Sequence, residues 1–173
     1  MKLTETMTKF ILHWGEMGNR WGVNRSVAQI HALLYLSPEA MTAEDVADTL
    51  GLARSNVSNG LKDLQSWELI SITHVLGDRR DHFQAEQDVW TMLKTVVDGR
   101  KRREIDPTIE LLKRCVEDMD HEKDTPKAVR ARISETLEFL EETNKWYEQI
   151  GKLPRSVLIK LMKMGAKISN LVS

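Results

Sequence analysis

Apolar residues recur every three to four positions along most of the chain and every second position in one short stretch, a pattern of amphipathic helices interrupted by one hairpin. Leu3, Met7, Phe10, Ile11, Trp14 and Met17 predict a first helix that Gly18 closes. Asn24 is placed to cap a second, with Val27, Ile30, Leu33 and Leu34 on its buried side and Ser37-Pro38 as its stop. Thr42 caps a third, with Asp45 as acidic partner in its first turn, and this helix runs through Val46, Ala47 and Leu50 to Gly51. A fourth spans about Arg54 to Ser66, with Val57, Leu61 and Leu64 facing inward. The period then drops to two: Ile70 and Ile72 alternate with Ser71 and Thr73, and Phe83 and Ala85 with Gln84 and Glu86. The polar stretch Gly77-Asp78-Arg79-Arg80-Asp81 between them makes a hairpin from Leu69 to Glu86.

Helical spacing returns with Val89, Leu93, Val96 and Val97. Pro107, Pro126 and Pro154 stand where later helices begin, with Asp106 and Thr125 as caps; alternatively, Pro107 kinks one longer helix. Ile109, Leu112, Val116 and Met119 form one stripe, and Val129, Ile133, Leu137 and Leu140 another. Phe139, Trp146 and Ile150 lie partly off the second line. A helix apolar on two sides needs cover on two sides, from its own bundle or from a second copy of the chain.

The densest information lies in residues 42–86. A helix-turn-helix needs a small residue where its helices cross, a glycine at the turn and an apolar residue locking the second helix down. Ala47, Gly51 and Val57 have those properties at that spacing. A hairpin directly after such a unit is a wing. On a helical wheel the second helix turns Ser55, Asn59, Lys62 and Ser66 away from Val57, Leu61 and Leu64, with Asn56 and Asp63 flanking them. Asn bonds adenine edges, Ser donates or accepts, and Lys reaches phosphate or guanine; the same face also suits an ordinary solvated surface. At the wing, Arg79 and Arg80 lie between Asp78 and Asp81. They form a salt-bridged turn, a minor-groove contact, or both, since an aspartate can hold one arginine while the other reaches DNA. The candidate DNA-binding residues are Arg54, Ser55, Asn56, Ser58, Asn59, Lys62, Arg79 and Arg80.

Charge sets limits on this. The 173 residues carry 25 Lys+Arg and 26 Asp+Glu, net −1, which excludes a uniformly basic nucleic-acid binder. Cys115, the single cysteine, excludes a disulfide framework, and the five histidines lack metal-ligand spacing. No P-loop, GxSxG, HExxH or dinucleotide-binding glycine pattern occurs, so neither catalysis nor a cofactor is expected. No run approaches the ~18 apolar residues that span a bilayer, and the first residues lack a signal-peptide core, so a cytoplasmic protein is expected. Arg100-Lys101-Arg102-Arg103 is a basic run that fits a solvated face or a contact beside the wing. Near the C-terminus Lys152, Arg155, Lys160, Lys163 and Lys167 oppose Val157, Leu161, Gly165, Ile168 and Val172. Packing of this helix on its own protein is favoured over a membrane surface.

Ala47 to Leu64 followed by Gly77-Asp78-Arg79-Arg80-Asp81-His82-Phe83 resembles the winged-helix repressors of the MarR type. Trp67, Val89-Trp90 and Arg102-Arg103-Glu104-Ile105-Asp106-Pro107 are similar to the GbsR branch. The likeness covers roughly residues 7–118. It implies a mainly α fold: a winged helix-turn-helix with a two-stranded β wing, plus N- and C-terminal dimerisation helices. The expected divisions are an interface helix over 1–20, the DNA-binding domain over 21–87 and a dimerisation region over 88–173. The implied partners are a palindromic double-stranded operator, a second copy and a small-molecule effector. The alternatives are a winged-helix protein–protein adaptor that does not read DNA and a peripheral membrane sensor acting through the basic C-terminal helix. Choline-like signals, associated with that branch, would suit Trp14, Trp21, Trp67, Trp90 and Trp146 as cation–π faces, although core or interface filling is the stronger reading of these tryptophans. Ala53 stands where many relatives place a capping Ser.

Overall fold

The computed structural model describes residues 1–122 and 124–165, which form two compact units, one ending at Arg100 and one beginning at Lys101. The first unit opens with α1 (Glu5–Arg20) and α2 (Arg25–Leu36). The Thr4 hydroxyl accepts from the Met7 amide and the Asn24 side chain from the Ser26 amide, so each helix starts at a side-chain cap. Gly18 does not close α1, which continues to Arg20. A Cβ at Gly18 would stand 2.5 Å from the Ala28 Cβ, so this glycine lets two helix backbones approach. The chain turns instead at Gly22, φ +80°.

Between α1 and α2, Phe10 stacks on Trp14 with ring centroids 5.3 Å apart. His31 lies 6.3 Å from Trp14 and 6.4 Å from Tyr35, completing a row of rings. His31 is buried and its Nε2 has no hydrogen-bond partner among the described residues. Burial pushes its pKa down from 6.5 to about 4, because an imidazolium there would lose its hydration.

After α2 come β1 (Met41–Thr42), α3 (Ala43–Leu50), α4 (Arg54–Ser66), β2 (Ile70–Thr73), β3 (His82–Ala85) and α5 (Val89–Arg100). The wing is a three-stranded antiparallel sheet in the order β1-β3-β2. Thr42 pairs with His82, and Ile72 with Phe83. The expected two-stranded wing is thus extended by β1, whose two residues are too few to show a period. Ile30, Leu33, Leu34, Val46 and Val57 are the largest fully buried side chains, so α2 is the post around which α3 and α4 pack.

The second unit starts with a π-helical turn (Lys101–Ile105), then α6 (Asp106–His121), α7 (Lys127–Gly151) and α8 (Arg155–Met164). The chain is helical without a break from Val89 to His121. Asp106 is therefore the first residue of α6 rather than a cap, and Pro107 sits inside a longer helical run. Pro107 cannot donate to the carbonyl four residues back, and the widened turn just before it accommodates that loss. Likewise Pro126, not Thr125, stands at the start of α7. Ile109 and Met119 are buried in α6. The Lys101 ammonium donates to Asp106 at 2.8 Å and lies 3.5 Å from Glu148, which ties the start of the unit to α7. Cys115 is partly exposed. Lys167, Ile168 and Val172 of the C-terminal basic and apolar faces lie outside the described residues.

Candidate nucleic-acid interface

The helix-turn-helix is built from local signals. Thr42 and Asp45 form a capping box: the Thr42 hydroxyl accepts from the Asp45 amide at 3.1 Å and the Asp45 carboxylate from the Thr42 amide at 3.1 Å. The Thr42 hydroxyl also donates to that carboxylate at 2.5 Å, and this bond is the main reason the Asp45 pKa is lowered. At the other end of α3, Gly51 adopts φ +64°, and the Leu52 amide donates to the Ala47 carbonyl at 3.1 Å. Only glycine takes that conformation cheaply.

α4 starts at Ala53 with no side-chain cap, as the sequence indicated. The Ala53 backbone (φ −62°, ψ 139°) already has N-cap geometry, so Ala53→Ser is expected to raise stability by about 1 kcal/mol. The midpoint of thermal unfolding reads this directly. Val57, Leu61 and Leu64 are buried, while Arg54, Ser55, Asn56, Ser58, Asn59 and Lys62 are exposed. Arg54, Ser58 and Lys62 recur every four residues and form one stripe; Ser55 and Asn59 form the next. The first stripe faces the wing across a cleft of about 560 Å³, which Glu44, Ile72 and Arg80 also line.

Two successive turns shape the wing tip. The Asp78 amide donates to the Val75 carbonyl at 3.0 Å around Gly77, φ +86°. The Asp78 carboxylate then accepts the Arg80 amide at 3.0 Å and the Arg80 guanidinium through Nε at 3.0 Å and Nη2 at 2.5 Å. That fork holds the Asp78 carboxyl well below the usual carboxylate range. The Arg80 carbonyl accepts from His82 Nδ1 at 3.0 Å, which assigns the imidazole proton to that nitrogen. Arg79, between the two anchored residues, is exposed. The eight candidate residues are thus divided: Arg54, Ser58, Lys62 and Arg80 share the cleft, Ser55, Asn56 and Asn59 cover the outer side of α4, and Arg79 lies on the wing tip.

One residue escaped the sequence-based site. Glu44, in the first turn of α3, makes a charge-assisted hydrogen bond with Arg54 and lies 3.8 Å from Arg80. Ten residues separate it from Arg54, beyond the reach of any periodic pattern. Among the described residues no group of three or more His, Cys, Asp or Glu could hold a metal ion. Among them, too, no helix is long and apolar enough to cross a membrane.

A buried-core helix-turn-helix with a polar second helix beside a hairpin defines a winged-helix fold. Residues 21–81 match the model of the MarR family. The chain is 22% identical over 140 residues to the HTH-type transcriptional repressor GbsR of Bacillus subtilis (strain 168), a match covering 79% of this chain and 77% of that one. The crystal structure of a transcriptional regulator superposes with a TM-score of 0.58 at 17% identity, covering 83% of this chain and 99% of the other. Residues 21–81 thus carry the MarR-family pattern, and over most of its length the chain is similar to a GbsR-type transcriptional repressor.

Proposed function

We propose that the protein is a cytoplasmic repressor that reads a palindromic double-stranded operator as a homodimer. The observation that carries this reading is the division of labour at the interface. α4 turns Ser55, Asn56, Ser58, Asn59 and Lys62 outward on a buried apolar seam, beside a wing whose Asp78 immobilises Arg80 and leaves Arg79 outermost. α4 then enters the major groove, where Asn59 reads base edges, while Arg79 enters the adjacent minor groove. With residues 1–87 at 8 basic and 11 acidic side chains, net −3, one subunit holds DNA weakly, and two are needed to hold a site. Residues 21–87 form the reading domain, and contacts to the second copy come from α1 and the helices after residue 87. Phe139 and Trp146, two turns apart on α7, are 66% and 59% exposed and supply apolar surface for that contact.

Selection of bound duplexes from a random pool tests the reading; failure to enrich a palindrome removes it. On an enriched operator, Asn59→Ala is expected to relax specificity by ~1–3 kcal/mol, whereas Arg79→Ala weakens all sequences and lowers the salt slope by about one. Sedimentation velocity at micromolar concentration tests the dimer, and a monomer on and off DNA refutes it. The likeness to the GbsR branch also supports a small-molecule effector, for which a quaternary ammonium is the ligand to titrate. A flat tryptophan fluorescence response up to millimolar concentration, with DNA binding unaltered, removes it.

A further inference from the structure

Glu44 occupies an unusual position for an acidic residue on a DNA-facing surface. It lies in the first turn of α3, where the helix dipole favours a carboxylate. One carboxylate oxygen meets the guanidinium of Arg54, the first residue of α4, and the other lies 3.8 Å from the Arg80 guanidinium on the wing. Arg80 does not need Glu44 for its orientation, because Asp78 already holds it by a fork. Arg54 has no comparable anchor: its side chain is 79% exposed and Glu44 is the acidic group it meets. A carboxylate between a guanidinium at a helix start and a second guanidinium on a wing has the charge, the acceptor geometry and the location of a backbone phosphate.

We infer that Glu44 is a resident phosphate mimic that competes with DNA for Arg54 and, more weakly, for Arg80. This deepens the reading of α4 and the wing as a DNA interface and rests on it. In the free protein Glu44 neutralises a cation at the start of α4 that a duplex phosphate would otherwise meet. An approaching phosphate must displace Glu44 and accept its charge nearby. The exposed pair is cheap to break, so an operator that fills the base contacts of α4 overcomes it. A scrambled duplex, held by phosphate contacts alone, meets the same cost with less binding energy. Glu44 therefore lowers the affinity for any duplex, operator and non-operator alike, by the cost of displacing it from Arg54.

The test uses the full-length protein, with fluorescence anisotropy on a scrambled duplex and on the selected operator at several salt concentrations. Glu44→Gln keeps the side chain's shape and removes its charge. It is expected to tighten the scrambled duplex and the operator alike, by about two- to fivefold at low salt, leaving the ratio between them unchanged. In an Arg54→Ala background most of that gain disappears, because the competed cation is gone. Unchanged or weaker binding of the scrambled duplex by Glu44→Gln would show that Glu44 only positions the arginines, and would overturn the inference. So would a gain that persists in full in the Arg54→Ala background. The scrambled-duplex measurements need no operator; a failure to select one counts against sequence-specific reading, and the scrambled-duplex result still decides the role of Glu44.

Discussion

Gly60→Ala is expected to lower stability by about 1–3 kcal/mol, although alanine is the better helix former by roughly 1 kcal/mol. Gly60 is in the middle of α4 and buried, where a Cβ would stand 2.7 Å from Ile30 Cδ1 and 3.6 Å from Val27 Cγ2. Ile30 is fully buried, so its terminal methyl has little room to retreat. The clash falls on the seam that seats the recognition helix on α2, and relief requires α4 to lift or slide. Under the proposed function, operator affinity should fall with stability, because the side chains assigned to base contacts move with the helix. Ile30→Val deletes the methyl that the new Cβ would meet. Alone it costs ~0.5–1.5 kcal/mol, and combined with Gly60→Ala it should cost less than the sum of the two. Urea unfolding of the four proteins checks this, and strict additivity would mean that the clash is relieved elsewhere.

The second large effect concerns acid. His31 is neutral in the fold, with its pKa pushed from 6.5 to about 4 by burial. Above pH 6.5 neither folded nor unfolded chain binds this proton, and the histidine costs nothing through linkage. As pH falls from 6.5 towards 4 the unfolded chain takes up the proton and the folded chain does not, so stability drops. Over the whole interval the loss is about 3 kcal/mol. His31→Phe should flatten that part of the pH profile. The phenyl ring keeps the row formed by Trp14 and Tyr35 and removes the unpartnered Nε2, so stability at pH 7 should be unchanged or higher. Urea midpoints between pH 4 and 7 for both proteins decide the matter; parallel profiles would show that His31 is not the group responsible.

The residues that were legible in the sequence are those whose partners are near in the chain. Asn24 caps α2 through an amide two residues on, Thr42 and Asp45 cap each other, and α4 spans Arg54–Ser66 as its apolar spacing predicted. The turn at Gly51 and the hairpin were readable for the same reason. Gly18 was misread because a glycine near a helix end is, by sequence, a stop; only the opposing Ala28 reveals it as a close crossing. Gly60 poses the same problem in the middle of a helix. β1 is too short to announce itself, and the unbroken run through Pro107 depends on a widened turn that no hydrophobic period encodes. On the interface, the Asp78–Arg80 fork is a two-residue relation and was anticipated. The Glu44–Arg54 pair joins separate helices and was not.

Thr42 serves as the last residue of β1, opposite His82, and as the cap of α3. One peptide unit is therefore shared by the wing and the helix-turn-helix, with no linker between them to flex. Swinging the wing away would have to unpair the strand or uncap the helix. The helix-turn-helix and the wing consequently travel as a single rigid tool, and under the proposed function adjustment to differently spaced half-sites has to be absorbed elsewhere in the chain.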